Sequence, residues 1–283
     1  MPARGLGYAF SGGGARGYAH VGIIKVLEEQ GIYPDYISGT SMGALVGALY
    51  ALGYNAVELD SLLQELDIPS LLAERPGRAE LYIGNKRWPE YGNLHLNMGQ
   101  DWIPRLPSAL YDASLVDLEL ARMTLPASVY QDFYQFPVPF VAIATDLVSG
   151  KPELFTRGSL MQALRASSSF PSLLLPFEFD GRIYIDGGVA QNLPLAEVRR
   201  LGADAVIGFK ANSRLRTREE LYDVVEIIDQ TVNIGMTRNI NAGLEDCDLL
   251  LEPDLEEWRN TDFGSADEII AAGEAYARAR LPQ

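Results

Sequence analysis

The first 52 residues alternate short apolar runs with longer apolar stretches of helical spacing, and glycines stand at the junctions. The runs at residues 6–11 and 35–38 predict strands, whereas the spacing at residues 17–30 and 42–52 predicts helices. Successive strands joined by a helix run parallel, because a parallel pair needs a long crossover connection. The start of the chain therefore predicts a layered α/β fold built on a parallel sheet.

The remainder of the chain continues this alternation. Apolar runs predict further strands at residues 138–145, 182–185, 205–209 and 248–251. Helical spacing predicts helices at residues 159–166, 195–201, 219–242 and 265–280. In the last of these, we expect Ser265 to be the N-cap and Glu268 to complete a capping box. A length of 283 residues and a hydrophobic fraction of 47% suit a single α/β domain.

Residues 69–112 interrupt the alternation with several prolines and glycines. They also carry many large apolar side chains, namely Trp88, Tyr91, Leu94, Trp102, Ile103, Leu106, Leu110 and Tyr111. We predict an irregular, lid-like insertion over the site, whose apolar content suits a lid or a lipid-facing surface. A loop-rich flap that packs these side chains onto the core would explain the same composition.

The formal net charge of −15 restricts the partners of the chain. It repels nucleic acid, and it repels anionic lipid headgroups at long range, so we expect any transient membrane contact to be apolar and local. No signal peptide or transmembrane stretch is evident. A cytoplasmic location is the default expectation, with a secreted or outer-membrane-associated location if the chain is a domain of a longer protein. The oligomeric state stays open, a homodimer included.

A serine at residue 41 lies within a G-x-S-x-G pattern, between a predicted strand and a predicted helix. Such a sharp turn holds the hydroxyl above the sheet edge, and the helix N-terminus stabilises negative charge that develops there. A helix N-cap serine and a helix-dimer motif, with glycines at residues 39, 43 and 47, are the alternatives. The strand and helix flanks favour Ser41 as a nucleophile.

A nucleophilic hydroxyl needs a proton acceptor, and neither histidine of the chain occupies the late position expected of a triad. His20 precedes the serine, and His95 lies in the irregular stretch. A carboxylate is the remaining option, and Asp146 and Asp186 each follow a predicted strand. Two glycines after Asp186 allow a tight turn, whereas Asp146 leads into a predicted hairpin, so Asp186 is modestly preferred.

Three successive glycines link the first strand to the first helix at residues 12–14. Their N–H groups could hold a phosphate or an oxyanion at the helix N-terminus. Residues 12–17 also match the dinucleotide-binding pattern G-x-G-x-x-G, but that pattern needs an acidic residue at the end of the second strand, and Asp35 stands at the start of its strand. For Arg16 we expect an ion pair with a carboxylate that fixes the loop, and contact with a substrate phosphate is the alternative.

Three motifs follow one another in a recognisable order, Gly12-Gly13-Gly14-Ala15-Arg16-Gly17, Gly39-Thr40-Ser41-Met42-Gly43 and Asp186-Gly187-Gly188. Together they resemble the patatin-like phospholipase family, especially its bacterial members. The resemblance extends over most of the chain and includes Arg165-Ala166-Ser167 and Asn192-Leu193-Pro194. Residues 69–112 match less well.

The resemblance implies a three-layer α/β/α sandwich with a mainly parallel central sheet. It implies a dyad of Ser41 and Asp186 and an oxyanion hole formed by the backbone of Gly12, Gly13 and Gly14. The implied reaction is hydrolysis of fatty acyl esters of phospholipids or simpler lipids through an acyl-enzyme, with neither metal nor cofactor. An acyltransferase or thioesterase with the same dyad, and a catalytically silent lipid-binding module, remain alternatives.

Overall fold

The computed structural model describes residues 5–72, 97–98, 104–105, 109–111, 113–212, 214–222 and 224–281. The described strands are β1 (Leu6–Phe10), β2 (Tyr36–Thr40), β3 (Asn97–Met98), β4 (Pro104–Arg105), β5 (Ala109–Tyr111), β6 (Phe140–Asp146), β7 (Pro152–Phe155), β8 (Ser172–Leu174), β9 (Phe177–Phe179), β10 (Arg182–Asp186), β11 (Ala205–Phe209) and β12 (Leu249–Leu251). The described α-helices are α1 (Ala19–Glu29), α2 (Met42–Ala51), α3 (Ala56–Glu65), α4 (Ile68–Leu72), α5 (Ser114–Met123), α6 (Leu160–Ser167), α7 (Gly188–Gln191), α8 (Leu195–Leu201), α9 (Val224–Gly243) and α10 (Ala266–Arg280).

The central sheet has the strand order β12-β11-β1-β2-β6-β10-β9, and β7 pairs with β6. The run from β12 to β6 is parallel, as the alternation of strands and helices predicted. The strands β7, β9 and β10 are antiparallel, so the sheet is mixed at one edge. Since parallel strands end at the same edge of a sheet, the ends of β1, β2 and β6 meet where ligands usually bind.

Helices cover both faces of this sheet because successive side chains of a strand point to opposite faces. On β1, Tyr8 and Phe10 pack into the larger apolar cluster with α1, α2 and α10. Ala9, between them, packs into a second cluster with Leu195 and Val198 of α8. Apolar side chains on both faces confirm the predicted three layers.

Some helix ends differ from the predictions. The helix predicted from residue 17 begins at Ala19, after a 3₁₀ turn at Gly14–Tyr18, and the helix predicted from residue 219 begins at Val224. The first helix ends before Gly31, which has a φ of 71°. The capping box predicted at Ser265 is wrong, because the Ser265 side chain makes no capping hydrogen bond. Glu268 instead accepts a hydrogen bond from Trp258 Nε1 at 3.3 Å. Among the described helices, none is long and apolar enough to cross a bilayer.

The stretch at residues 69–112 is not wholly irregular. Helix α4 extends to Leu72, and β5 pairs in parallel with β8, which follows α6. The strands β3 and β4 pair with each other. The other residues of the stretch, His95 among them, lie outside the described residues, so the lid remains a prediction.

Candidate active site

Ser41 lies at the sharp turn between β2 and α2. Its φ of 55° and ψ of −126° are unusual for a residue with a side chain, and such a conformation costs about 1–3 kcal/mol. The Ser41 N–H donates to Ser167 Oγ at 2.8 Å, which holds the turn in place. The Ser41 side chain makes no capping hydrogen bond, and Gly47 is buried against the sheet, so the N-cap and helix-dimer alternatives lack support.

Close packing brings the start of α2 onto the end of β1. A Cβ at Gly43 would lie only 2.4 Å from the carbonyl oxygen of Ser11, so a larger residue there would displace backbone. A Cβ at Gly17 would lie 2.4 Å from Cγ of Met42. The glycine loop and the serine turn are therefore in direct contact.

Asp186 ends β10, and its side chain is 1% exposed. Its carboxylate lies beside the Ser41 hydroxyl and accepts a hydrogen bond, at 2.8 Å, from the Gly188 N–H. Burial raises the pKa of Asp186 from 3.8 to about 6, although the Ser41 hydroxyl and the Gly188 N–H act to lower it. The structure thus brings together the serine and the carboxylate that the sequence analysis selected.

Backbone contacts fix the position of Asp186. Its N–H donates to the Ser169 carbonyl at 2.9 Å, and the Thr145 hydroxyl donates to its carbonyl at 2.9 Å. The other candidate, Asp146, occupies a β-hairpin turn, as predicted. There its carboxylate accepts the N–H groups of Val148 and Ser149, which lower the pKa of Asp146. Asp146 therefore serves the turn and not the serine.

The three loop glycines differ in whether their N–H groups are available. The Gly12 N–H donates to both the backbone and side-chain oxygens of Asn192, at 3.3 and 3.2 Å. Within the described part of the chain, the N–H groups of Gly13 and Gly14 have no acceptor. Gly14 has a φ of 56°, and a Cβ there would lie 2.2 Å from the Asn260 carbonyl oxygen. Gly13 and Gly14 are therefore the two loop glycines with free donors.

Arg16 fixes the glycine loop, but not through the carboxylate that we expected. Its side chain is 6% exposed, and its Nε donates to the Trp258 carbonyl at 2.7 Å. The Ala15 N–H donates to the Asn260 carbonyl at 2.8 Å. Backbone carbonyls accept both bonds because the chain at residues 258–260 runs alongside the loop.

His20 is fully buried below the glycine loop. Its Nε2 lies 2.9 Å from the carbonyl oxygen of Ser11, and its ring contacts Phe10 and Phe209. Burial lowers the pKa of His20 to about 4, so the ring is neutral at physiological pH. It is a core side chain that supports the loop, as its position in the predicted helix indicated.

A cavity of about 620 Å³ opens beside the Ser41 hydroxyl, the Asp186 carboxylate and the glycine loop. This volume is typical of small-molecule sites. Its apolar lining comes mainly from α2, α4 and α5, with Glu119 among them, and we call this part the apolar end; its apolar residues are Met42, Leu45, Leu66, Ile68, Leu71, Leu72, Val116, Leu120, Met123, Phe170, Leu173, Leu174 and Phe263. Its polar lining comes mainly from α9 and the segments at residues 212–222 and 259–261, with Met236 among them, and we call this part the polar end; its polar residues are Asn192, Asn212, Arg216, Tyr222, Glu226, Asp229, Asn233, Arg259, Asn260 and Thr261. The described residues contain no cluster of three or more metal-ligating side chains.

Two residues that support the site had no assigned role in the sequence analysis. Ser167 accepts the Ser41 N–H and donates to the Ile143 carbonyl at 2.5 Å. Asn192 accepts the Gly12 N–H. Both lie in short motifs that contributed to the family resemblance, and that was the available signal. The segment at residues 258–261 carried no pattern that would have identified it.

Comparison with known proteins gives relatives of different lengths. An uncharacterized NTE family protein of Mycobacterium tuberculosis is 32% identical over 210 residues, which cover 72% of this chain and 48% of that protein. Lysophospholipase NTE1 of Kluyveromyces lactis is 26% identical over 302 residues, covering 98% of this chain and 19% of that protein. The chain thus spans about half the length of the mycobacterial relative and about a fifth of the fungal one.

Among solved structures, VipD from Legionella pneumophila has a similar fold. The TM-score is 0.55 at 14% sequence identity, and the match covers 99% of this chain and 67% of that chain. A model of the patatin-like phospholipase family matches residues 8–199, which is more than half of the chain. This match agrees with the order of the three motifs, and the chain belongs to the patatin-like phospholipase family.

Proposed function

We propose that the chain is a lipid acyl hydrolase in which Ser41 is the nucleophile and Asp186 is its base. The observation that carries the proposal is the position of the Ser41 hydroxyl beside a buried carboxylate, at the edge of a cavity with an apolar end. A Ser-Asp pair needs no histidine, and the one described histidine is buried and neutral.

In the acylation step, Ser41 Oγ attacks the ester carbonyl carbon while Asp186 accepts the hydroxyl proton. A carboxylate with a pKa of about 6 is a stronger base than an ordinary aspartate and is still ionised at pH 7. The negative charge on the carbonyl oxygen develops next to the N–H groups of Gly13 and Gly14, which we assign as the oxyanion donors. Asp186 then gives its proton to the leaving alcohol, and the acyl group stays on Ser41.

In the deacylation step, water takes the place of the alcohol. Asp186 accepts a proton from the water as its oxygen attacks the acyl-enzyme, and it returns that proton to Ser41 Oγ as the ester bond breaks. The products are a free fatty acid and the regenerated serine. Gly12 supports the hole indirectly, because its N–H holds Asn192 against the loop.

The substrate class follows from the cavity and the family. The apolar end, built mainly from α2, α4 and α5, suits a fatty acyl chain, since burial of each methylene contributes about 0.8 kcal/mol. Membership of a phospholipase family, and fungal relatives named lysophospholipases, favour lipid esters over other acyl substrates.

Release of fatty acid from a lysophospholipid and from a nitrophenyl ester tests the proposal. We expect Ser41→Ala and Asp186→Asn to lose at least 1,000-fold in kcat/KM, consistent with the loss of a nucleophile or its base. Asp146→Asn is the matched control, because it changes an aspartate at the end of the neighbouring strand and should retain activity. Persisting activity in Ser41→Ala would overturn the proposal.

Fluorophosphonate labelling distinguishes a serine enzyme from a catalytically silent binding module. A protein that uses Ser41 as proposed should be labelled at that residue, whereas a silent lipid-binding module should not react. Capture of the acyl group by an added lipid alcohol or thiol, in preference to water, would instead indicate an acyltransferase.

A further inference from the structure

The polar end of the cavity contains an arginine without an acidic partner. Arg259 is exposed and lines the cavity, and its guanidinium makes no salt bridge or hydrogen bond in the described part of the chain. Two nearby arginines do have acidic partners, since Arg214 pairs with Glu220 and Arg216 pairs with Asp229.

The backbone on either side of Arg259 is fixed to the glycine loop. The Trp258 carbonyl accepts from the Arg16 side chain, and the Asn260 carbonyl accepts from the Ala15 N–H. The Arg259 N–H itself donates to Asp262 Oδ2 at 2.6 Å. The side chain of Arg259 therefore starts from a rigid backbone that borders the proposed oxyanion donors.

The acidic residues of the polar end are already engaged. Asp229 is paired with Arg216, and Glu226 accepts the Tyr222 N–H at 3.2 Å. Both lie on α9, whereas Arg259 lies on the segment beside the glycine loop. Among the described cavity residues, Arg259 is thus the cation that is left to bind a ligand anion.

We propose that Arg259 binds the phosphate of a glycerophospholipid headgroup while the acyl ester lies at Ser41. This inference rests on the proposed function. In a glycerophospholipid, the acyl ester and the phosphate are carried by the same glycerol, so a phosphate site must lie close to the ester site. A guanidinium on a segment that is bonded to the glycine loop meets this requirement, and its planar donors match phosphate oxygens.

A matched pair of substrates tests the inference. A lysophosphatidylcholine and a monoacylglycerol with the same acyl chain differ in the phosphocholine group alone. The preference for the lysophospholipid is the ratio of its kcat/KM value to that of the monoacylglycerol. We expect Arg259→Gln to reduce this ratio about 10-fold or more, which is the effect of losing a hydrogen bond to a charged group. Arg259→Lys should retain part of the preference, because it keeps the charge but not the fork of donors.

Arg214→Gln is the control, since Arg214 is a nearby paired arginine outside the cavity lining, and it should leave the ratio unchanged. An unchanged ratio in Arg259→Gln, or an equal loss on both lipids, would overturn the inference.

If the unmodified chain hydrolyses no lipid, the proposed function fails, but the phosphate site can still be tested by lipid binding to Ser41→Ala. Calorimetry would use a lysophosphatidylcholine at concentrations below its micellar concentration. We expect its Kd to be about 10-fold higher for Ser41→Ala/Arg259→Gln than for Ser41→Ala. An equal Kd in both would refute the phosphate site. Competition by inorganic phosphate distinguishes the sources of the anion. Displacement of the lipid by millimolar phosphate would indicate a site for free phosphate and would contradict a headgroup site.

Discussion

Replacement of Asp186 by asparagine should stabilise the fold while it removes activity. The carboxylate is 1% exposed, and burial raises its pKa from 3.8 to about 6. Between these two pH values the folded chain keeps a proton that the unfolded chain has lost. Its free energy of unfolding therefore falls as the pH rises through this window, and the full penalty is present at pH 8.

The size of the effect follows from the two pKa values. One pKa unit corresponds to 1.36 kcal/mol, so a rise from 3.8 to about 6 costs about 3 kcal/mol at pH 8. At pH 4.5 the same relation gives a loss of stability of about 1 kcal/mol from the raised pKa of Asp186. Asparagine has nearly the same shape and carries no charge, and its oxygen can still accept the Gly188 N–H. We therefore compare the free energy of unfolding of Asp186→Asn with that of the unmodified chain at each pH. The difference in favour of Asp186→Asn should be about 2 kcal/mol larger at pH 8 than at pH 4.5.

Urea unfolding of both proteins at the two pH values measures this difference. Asp146→Asn serves as the control, because the pKa of Asp146 is lowered by backbone hydrogen bonds and its neutralisation should bring no gain at pH 8. If the stability difference between Asp186→Asn and the unmodified chain were the same at both pH values, the assignment of a raised pKa to Asp186 would be refuted.

Two further predictions concern residues that hold the site in place. Ser167→Ala leaves the part-buried Ser41 N–H without its acceptor, so we expect the free energy of unfolding, measured in urea, to fall by about 1–3 kcal/mol and kcat to be lower; unchanged values of both would contradict this role. The pKa of His20 is lowered from 6.5 to about 4 by burial, so the contribution of His20 to the free energy of unfolding should fall by about 3 kcal/mol as the pH drops from 7 to 4 and the unfolded chain takes up a proton. The stability difference between His20→Gln and the unmodified chain should change by about this amount between the two pH values, and an unchanged difference would refute the assignment.

The serine turn could be predicted from sequence because its signal is local. Gly39, Ser41 and Gly43 lie within five residues, and the apolar runs on both sides identify the strand and the helix. The choice of Asp186 over Asp146 also had a local basis, the glycines that follow Asp186 and the hairpin that follows Asp146. In both cases the residues that decide the outcome are adjacent in the chain.

Contacts between distant segments could not be predicted in this way. Gly12 and Asn192 are 180 positions apart, and nothing near Gly12 indicates that its N–H is already engaged. Arg16 was expected to meet a carboxylate, but the acceptor is the carbonyl of Trp258, 242 positions away. The direction of β10 was also beyond the sequence, because an apolar run identifies a strand but not its orientation.

The central claim is that the acyl group is transferred to Ser41. Mass spectrometry of the protein, quenched in acid within milliseconds to seconds of mixing with a nitrophenyl ester of a fatty acid, tests this claim most directly. A mass increase equal to the acyl group, on the peptide that contains Ser41 and absent from Ser41→Ala, is the result that we predict. Turnover of the ester with the acyl group on a different residue, or with no acyl-protein at any time, would contradict it.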